Sequence, residues 1–304
     1  MIVVINFGSQ LAHLIARRVR DLGVYSEIVP CGVSASKLKE LNPSGIIFSG
    51  GPSSVYEKGA PSVDSDVFEL GIPILGICYG LQLIGKKFGK VENHQIKEYG
   101  KASLNVKKNG KLLKGLSAEE QIWMSHGDLV SKLDGFDVIA STKTCKFAAV
   151  ENIEKNIYGV QFHPEVVHTL KGNKILSNFI FDICNSEKDF NIADMKKKLI
   201  AEIRATVGDD EVLMGTSGGV DSTVAAVLMH EAIGKKLHCV FIDHGLIRKN
   251  EREEVDTAYK KNFKFENYYS VDASSVFLKK LKGVTEPEEK RKIIGHTFIE
   301  IFEK

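Results

Sequence analysis

Several short runs of this sequence are apolar at nearly every position, which is the pattern of strands buried on both faces. Ile2–Asn6, Gly45–Ser49 and Pro73–Ile77 are three such runs. Apolar residues at helical spacing follow the first run, at Leu11, Leu14, Ile15, Val19 and Leu22. Buried strands that alternate with helices predict a parallel sheet covered by helices on both faces. We therefore expect an α/β protein.

The same alternation continues along the chain, stops once and then restarts, so we expect two domains in the 304 residues. The polar segment Ser186–Asn191 lacks periodicity and predicts a linker, with the boundary between residues 187 and 188. Asn191 is a predicted helix cap. Before the linker, further strands are predicted at Lys101–Val106, Val138–Ala140, Phe147–Val150 and Tyr158–Phe162, and a closing helix at Ile175–Cys184.

The second domain shows only three legible strands, and the chain ends within a helical pattern. Sheets of this class usually hold five or six strands, so we expect an incomplete second domain. Its predicted strands are Glu211–Met214, Leu237–Ile242 and Tyr268–Val271, and its predicted helices are Asp221–Ala232, one after Lys249 and one through Leu281.

Charge and cysteine usage exclude several classes of protein. The 41 basic residues balance 39 acidic ones, which argues against nucleic-acid or membrane partners. Leu70–Gly85, the longest uncharged stretch, is broken by Gly and Pro and is too short to span a bilayer. No basic segment precedes the first strand, so no secretory signal is expected. Five scattered cysteines without a Cys-x-x-Cys pair indicate a reducing compartment, the cytoplasm.

One cysteine stands in the setting of an exposed nucleophile. Gly76-Ile-Cys-Tyr-Gly follows a predicted strand and precedes the helical run Leu81, Leu83 and Ile84. A sharp strand–turn–helix connection with small residues on each side exposes Cys78, and the helix N-terminus favours a thiolate. A buried cysteine in a glycine-rich turn is the alternative for this motif alone.

A histidine and a glutamate downstream supply the partners that such a cysteine needs. A predicted strand ends at His163, and Glu165 stands two residues on, where extended geometry points both side chains the same way. A base held by a carboxylate suits a cysteine nucleophile. A lone histidine at a strand end is more often a surface residue, but with the Cys78 turn the three residues predict a catalytic site.

Four motifs, in this order, resemble the signatures of class I glutamine amidotransferases. They are Phe48-Ser-Gly-Gly-Pro, Gly76-Ile-Cys-Tyr-Gly-Leu-Gln, Met124-Ser-His-Gly-Asp and Gln161-Phe-His-Pro-Glu. The resemblance implies a flavodoxin-like mixed sheet with flanking helices in residues 1–187, and hydrolysis of glutamine to glutamate and ammonia.

The same resemblance implies roles for individual residues. Cys78 would be the nucleophile, His163 the general acid and base, and Glu165 the group that orients it. Backbone N–H groups of Gly51 and Tyr79 would stabilise the oxyanion. The residues that would help to seat the glutamine are Gln82, Ser125, His126 and Asp128.

A second glycine-rich loop follows the strand Glu211–Met214. In Thr216-Ser-Gly-Gly-Val-Asp-Ser-Thr the glycines let backbone N–H groups converge at a helix start, which predicts an anion site. A plain strand–helix turn is the alternative. The loop resembles the pyrophosphate loop of N-type ATP pyrophosphatases, which implies an adenine-nucleotide α-hydrolase-like fold for residues 188–304. Asp221 would lie near a phosphate-bound Mg²⁺, and the implied ATP-binding residues are Ser217, Gly218, Gly219, Val220, Asp221, Ser222 and Thr223.

Two later segments supply candidate residues for the rim, the part of the second domain at the carboxyl ends of the strands where a nucleotide would bind. Asp243 and Arg248 lie at or just after the carboxyl end of the next predicted strand, where nucleotides bind in open α/β sheets, although a rim arginine is more often solvated. Lys290 and Lys292 lie in a charged helix start and are candidate phosphate contacts in the resemblance.

A glutaminase followed by such a loop resembles the family of glutamine-hydrolysing GMP synthetases over essentially the whole chain. That resemblance implies a ligase that uses glutamine, ATP with Mg²⁺, and XMP to form GMP, and a homodimer in the full-length family. The family's C-terminal dimerisation region has no counterpart in this sequence. We therefore expect competent glutamine hydrolysis, with the synthetase reaction impaired.

Two other functions remain open at this point. The chain could be a glutaminase that feeds another synthase, such as those for anthranilate or CTP, although the Ser217–Thr223 loop argues against it. It could also bind glutamine, nucleotide or a partner chain without turnover. Labelling of Cys78 by an electrophilic glutamine analogue separates the enzyme from an inert binding module.

Overall fold

The computed structural model describes residues 1–303, and the side chains of residues 93–96 lie outside that description. The chain forms two compact units, and the first ends at Phe190. This boundary falls within the segment predicted as a linker. Within the described residues, no helix is both long enough and apolar enough to cross a membrane.

The first unit is built on one nine-stranded sheet. Its strands are β1 Ile2–Asn6, β2 Ser26–Pro30, β3 Gly45–Phe48, β4 Ile74–Ile77, β5 Gly89–Val106, β6 Glu119–Leu133, β7 Asp137–Ser141, β8 Ala149–Asn152 and β9 Ile157–Val160. Its helices are α1 Ala12–Asp21, α2 Ala35–Leu41, α3 Tyr79–Phe88 and α4 Gly172–Ser177, with a 3₁₀ turn at Ser65–Glu69 and a π-helical segment at Asn178–Ile183.

The sheet is mixed, with the strand order β2-β1-β3-β4-β9-β8-β7-β5-β6. The five strands from β2 to β9 are parallel, and the remaining pairs are antiparallel. Each face carries its own core: Ile2 and Val4 of β1 belong to one, Val3 and Ile5 to the other. The prediction of an α/β fold with strands buried on both faces is confirmed.

Several predicted boundaries in this unit are wrong. Strands β2 and β6 were not predicted, because their residues mix polar and apolar types instead of forming a continuous apolar run. The strand predicted at Lys101–Val106 starts at Gly89. The last strand ends at Val160, two residues short of the prediction, because residues 161–165 bend away.

The end of the predicted linker is fixed to the first unit. The N–H of Phe190 donates to the carbonyl of Gly23 at 3.0 Å. The Asp189 carboxylate accepts from the N–H of Tyr25 at 2.7 Å and lies 3.4 Å from the amino group of Met1. These contacts tie the segment to the edge of the sheet next to β2, which composition alone does not show.

The second unit holds a three-stranded parallel sheet. In the order β10-β11-β12, its strands are Val212–Thr216, Leu237–Asp243 and Asn267–Asp272. Its helices are α5 Ile192–Val207, α6 Val220–Ile233, α7 Glu251–Thr257, α8 Ser274–Leu281 and α9 Pro287–Phe302, with short 3₁₀ and π segments at Gly234–Lys236 and Ala258–Asn262.

Helices cover both faces of this smaller sheet. Phe241 and Tyr259 belong to the core on one face, and Ile242, Phe277 and Phe298 to the core on the other. The predicted helix cap is confirmed, since the Asn191 side chain accepts a hydrogen bond from the N–H of Ala193. The sheet places the carboxyl ends of its three strands along one edge.

Candidate active site

Cys78 occupies the sharp turn between β4 and α3. Its backbone has φ 52° and ψ −103°, a conformation that non-glycine residues rarely adopt. Hydrogen bonds hold the turn on both sides: the N–H of Cys78 donates to Val160 of β9 at 2.8 Å, and its carbonyl accepts from Gln82 of α3 at 3.1 Å. The surrounding structure therefore maintains a strained backbone conformation at residue 78.

His163 and Glu165 lie beside this turn and are almost completely buried. His163 Nδ1 is 2.8 Å from Glu165 Oε1, and the Cys78 side chain is near enough to raise the pKa of the imidazole. Because Nδ1 faces Glu165, Nε2 is the nitrogen left for Cys78. The structure thus brings together the three residues that the sequence predicted as a catalytic site.

Residues that the sequence did not single out fix the backbone of His163. Its N–H donates to the Trp123 carbonyl at 3.0 Å, and its carbonyl accepts from the Thr169 hydroxyl at 2.6 Å. Arg18 of α1 donates to the Glu165 carbonyl at 3.0 Å. No local sequence signal marks these partners, since they come from distant or irregular segments.

The protonation of His163 follows from its surroundings. Burial lowers the pKa of its imidazole, but the hydrogen bonds with Cys78 and Glu165 outweigh burial and raise the pKa from 6.5 to about 10. A raised pKa favours the imidazolium at neutral pH, and an adjacent cation favours a thiolate. The arrangement therefore holds an imidazolium next to the Cys78 sulfur.

Within the described part of the chain, no contact joins the other buried cysteines to a histidine. Burial raises the pKa of the Cys184 thiol, and raises those of Cys145 and Cys239 to about 12 and about 11. A raised pKa keeps a thiol protonated and unreactive at neutral pH. The predicted exposure of Cys78 is wrong, because its side chain is buried where it lines the cavity, and its proximity to His163 distinguishes it from the other buried cysteines.

Gly51 and Tyr79, the predicted oxyanion donors, meet next to Cys78. The Tyr79 N–H is the first of α3 and has no intrahelical acceptor. Gly51 approaches so closely that an added Cβ would lie 2.8 Å from the Phe7 carbonyl oxygen and 3.2 Å from the Tyr79 ring. The absence of a side chain at Gly51 therefore lets its backbone pack closely against Phe7 and the Tyr79 ring.

Gly51→Ala is expected to disturb this packing. The added methyl group collides with backbone that cannot move freely, so we expect a loss of about 1–3 kcal/mol in the free energy of unfolding. Urea denaturation measures it. Gly32→Ala is the matched control, because no atom lies within 4 Å of a Cβ there. Equal stability of both variants would contradict the close approach at Gly51.

A cavity of about 410 Å³ opens next to Cys78. All four residues predicted to seat glutamine line it, namely Gln82, Ser125, His126 and Asp128. The Ser125 carbonyl lies 3.5 Å from the Cys78 sulfur. The cavity is large enough for an amino acid and is lined mainly by polar residues, which suits a zwitterionic substrate.

Further contacts order the polar wall of the cavity. The buried Asp128 carboxylate accepts from the Tyr56 hydroxyl at 2.5 Å and also from the Ser54 hydroxyl. Gln82 Nε2 donates to the Asp128 carbonyl at 2.9 Å, and His126 Nε2 lies 2.9 Å from Glu98 Oε2. Sequence reasoning missed Ser54, Tyr56 and Glu98.

In the second unit, the loop after β10 is shaped by its own hydroxyl groups. Gly218 has φ +74°, a region that favours glycine, and a Cβ there would lie 2.4 Å from Val255. Ser217 and Ser222 hydroxyls lie 3.1 Å apart, and the Gly219 N–H donates to Ser217 Oγ at 3.3 Å. The loop thus ends at the positive terminus of α6, as an anion site requires.

A cavity of about 480 Å³ lies beside this loop, and its lining includes Gly218, Val220, Thr223 and Arg248. The Thr223 hydroxyl lies 3.2 Å from that of Tyr259, another lining residue. Three of the seven predicted loop residues and one rim residue therefore share a cavity, whereas Ser217, Gly219, Asp221 and Ser222 are not among its described lining residues.

The remaining rim candidates lie elsewhere. One Asp243 oxygen accepts from the Gly245 N–H at 2.8 Å, and the other lies 3.8 Å from Arg252. Lys290 and Lys292 are exposed on α9, and among the described contacts none joins them to the loop.

The donor set of the loop fits a Mg²⁺ ion that arrives with phosphates. Among the described residues, no three His, Cys, Asp or Glu side chains form a metal cluster. Mg²⁺ bound to nucleotides commonly takes one or two carboxylates, the remaining ligands being phosphate oxygens and water. Asp221 supplies an exposed carboxylate in the first turn of α6.

Comparisons with known proteins find family matches in both units. A family model for class-I glutamine amidotransferases matches residues 3–183, and one for NAD synthase matches residues 192–285. The chain is 55% identical to a glutamine-hydrolysing GMP synthase of Aquifex aeolicus and 52% identical to one of Bacillus cereus. These alignments cover 100% and 99% of the chain, which spans 59% of the length of each relative.

A solved structure is also similar to this chain. It is a Thermoplasma acidophilum protein described as a subunit of GMP synthase, with a TM-score of 0.54 and 33% identity. The match covers 64% of this chain and 96% of the other. Because the amidotransferase model also matches more than half of the sequence, the chain belongs to the class-I glutamine amidotransferase family.

Proposed function

We propose that the first unit hydrolyses glutamine and that the ammonia serves an ATP-dependent amination of XMP to GMP. The first part rests on the grouping of Cys78 with the hydrogen-bonded pair His163–Glu165 at a cavity lined by polar residues. The similarity to GMP synthases along the whole chain supports the second part.

The proposed hydrolysis uses each residue of the site. The Cys78 thiolate attacks the side-chain amide carbon of glutamine, and the N–H groups of Gly51 and Tyr79 stabilise the resulting oxyanion. His163 donates its proton to the leaving nitrogen, which departs as ammonia and leaves a glutamyl thioester. Water then attacks the thioester, His163 accepts its proton, and glutamate is released with the thiolate restored.

We propose that the second unit binds the phosphates of ATP through the loop Ser217–Thr223. Asp221 would hold Mg²⁺ together with the phosphate oxygens, and the ion would neutralise charge on the pyrophosphate leaving group. Arg248 lines the cavity beside the loop and is positioned for a further nucleotide contact. Roles for Asp243, Lys290 and Lys292 remain predictions of the sequence, as do a homodimer and a cytoplasmic location.

Two separate assays test this proposal. We expect glutamate release from glutamine, measured by a coupled dehydrogenase assay. Pyrophosphate release with XMP, ATP and Mg²⁺, measured independently, tests whether this chain also carries out the synthetic half. A glutamine-binding module without turnover would release no glutamate. Glutamate release without pyrophosphate release would support the hydrolytic half and contradict the synthetic half for this chain.

A further inference from the structure

One edge of strand β6 meets both the cysteine and the histidine of the active site. Strand β6 is the last in the order of the sheet, and its Trp123 carbonyl accepts the N–H of His163 at 3.0 Å. The Ser125 carbonyl, two residues further along β6, lies 3.5 Å from the Cys78 sulfur. Carbonyls two residues apart in a strand point to the same side. The same strand edge therefore holds both Cys78 and His163.

A threonine hydroxyl completes the contact between His163 and this edge. The Thr169 hydroxyl donates to the His163 carbonyl at 2.6 Å, and its oxygen accepts from the Trp123 N–H at 3.1 Å. With the bond from the His163 N–H to the Trp123 carbonyl, these contacts form a closed ring of three hydrogen bonds. Paired residues of antiparallel strands exchange both backbone bonds directly, whereas here the hydroxyl bridges the second one.

The sheet itself does not hold His163 in this place. Strand β9 ends at Val160, so His163 lies beyond the strand pairing, and β8, β7 and β5 stand between β9 and β6 in the sheet. Thr169 and His163 are 4% and 5% exposed, so solvent has little access to the ring of hydrogen bonds. Without the hydroxyl, the Trp123 N–H and the His163 carbonyl would each lose their partner, which is costly away from water.

The reaction depends on where this backbone places the imidazole. Nδ1 of His163 is held by Glu165 at 2.8 Å, so Nε2 reaches Cys78 only if the backbone of residue 163 stays in position. Building on the proposed glutaminase function, we propose that Thr169 is a positioning residue for the hydrolysis. Its hydroxyl holds the backbone of His163 against β6 and so keeps the imidazole within reach of the Cys78 sulfur.

Thr169→Val tests the role of the hydroxyl, because valine has the shape of threonine without its hydrogen-bonding group. We expect kcat for glutamine hydrolysis to fall about 10- to 100-fold, as for a displaced reacting group, with KM changed less than about twofold. Thr169→Ser keeps the hydroxyl and should restore kcat to within about threefold of the wild type. Glutamate release over a range of glutamine concentrations measures kcat and KM separately.

Alkylation by iodoacetamide at pH 7 gives a second readout without turnover. Peptide mass spectrometry follows Cys78 and the half-buried Cys31 in the same sample, and the ratio of their rates is compared among variants. A displaced imidazolium favours the Cys78 thiolate less, so the ratio should fall in Thr169→Val and recover in Thr169→Ser. A variant that merely loses stability would instead expose the buried cysteines to the reagent.

Two further variants complete the experiment. Thr169→Ala removes the hydroxyl without adding a methyl group, and it should lower kcat and the alkylation ratio as Thr169→Val does if the valine variant does not fold. Thr206→Val is the matched control, because the Thr206 hydroxyl also donates to a backbone carbonyl, that of Glu202 at 2.9 Å, but does so within α5. Its kcat and its alkylation ratio should equal those of the wild type.

The outcomes separate this inference from the proposed function. Wild-type kcat and a wild-type alkylation ratio in the variants without the hydroxyl overturn the inference. Equal losses in Thr169→Ser and Thr169→Val also overturn it, because the methyl group would then be the part of Thr169 that matters. A wild-type protein that releases no glutamate contradicts the glutaminase function instead, and the alkylation ratio still decides whether Thr169 positions His163.

Discussion

Cys78→Ser is expected to lower the rate of glutamine hydrolysis by at least about 10⁴-fold. A serine hydroxyl is far less acidic than a thiol, so the imidazolium of His163 no longer faces a ready nucleophile. The substitution keeps the Cβ and the positive φ of residue 78, so the turn between β4 and α3 should remain folded. Glutamate release under saturating glutamine measures the loss.

Cys31→Ser provides the control for this substitution. Cys31 is a half-buried thiol at the end of β2, outside the described cavity lining. We expect the Cys31→Ser protein to hydrolyse glutamine at a rate within a factor of two of the wild-type rate. Comparable losses in both variants, or a Cys78→Ser protein that still hydrolyses glutamine at the wild-type rate, would show that the sulfur of Cys78 is not the nucleophile.

The grouping of Cys78, His163 and Glu165 was predictable because each has a local sequence signature. Cys78 lies between an apolar strand and a helix, with glycines on both sides. This pattern predicts a sharp strand–helix turn whatever the position of the strand in the sheet. His163 and Glu165, which are two residues apart, follow β9, the strand that pairs with β4 in the sheet. Parallel strands end at the same edge of a sheet, so β4 and β9 bring the two motifs together.

The residues that support the site have no such signature. Ser54 and Tyr56 meet Asp128 across more than seventy positions of sequence. Glu98 meets His126 only through the antiparallel register of β5 and β6, which contains irregularities. Strand β6 itself escaped prediction because the polar residues that line the cavity interrupt its apolar pattern. The residues that line the cavity are therefore the ones that hide the strand pattern of β6.

Glu165→Gln is the second substitution with a large expected effect. Glu165 is fully buried, and its Oε1 holds His163 Nδ1 at 2.8 Å. An amide keeps the size of the side chain but removes the charge that stabilises the imidazolium and fixes its orientation. We expect kcat for glutamine hydrolysis to fall about 10²–10⁴-fold, as in other sites with a base held by a carboxylate. Glu154→Gln, at an exposed turn, is the control and should leave kcat unchanged.

The same variant should change how stability depends on pH. The pKa of His163 is raised in the folded protein from 6.5 to about 10, so the folded state binds the proton more tightly than the unfolded state. The resulting stabilisation is fully present below about pH 6.5 and is lost as the pH rises towards 10. Because Glu165 is one cause of the raised pKa, the wild type should lose more free energy of unfolding than Glu165→Gln over this interval.

Urea denaturation at several pH values between 6 and 10 measures this difference. The comparison uses the slope with pH, because removing a buried carboxylate also removes its desolvation cost and shifts the absolute stability of the variant. Glu154→Gln should follow the wild-type slope. Parallel curves for the wild type and Glu165→Gln would mean that Glu165 does not raise the pKa of His163, and the proposed role of Glu165 in holding the imidazolium for proton transfer would then be wrong.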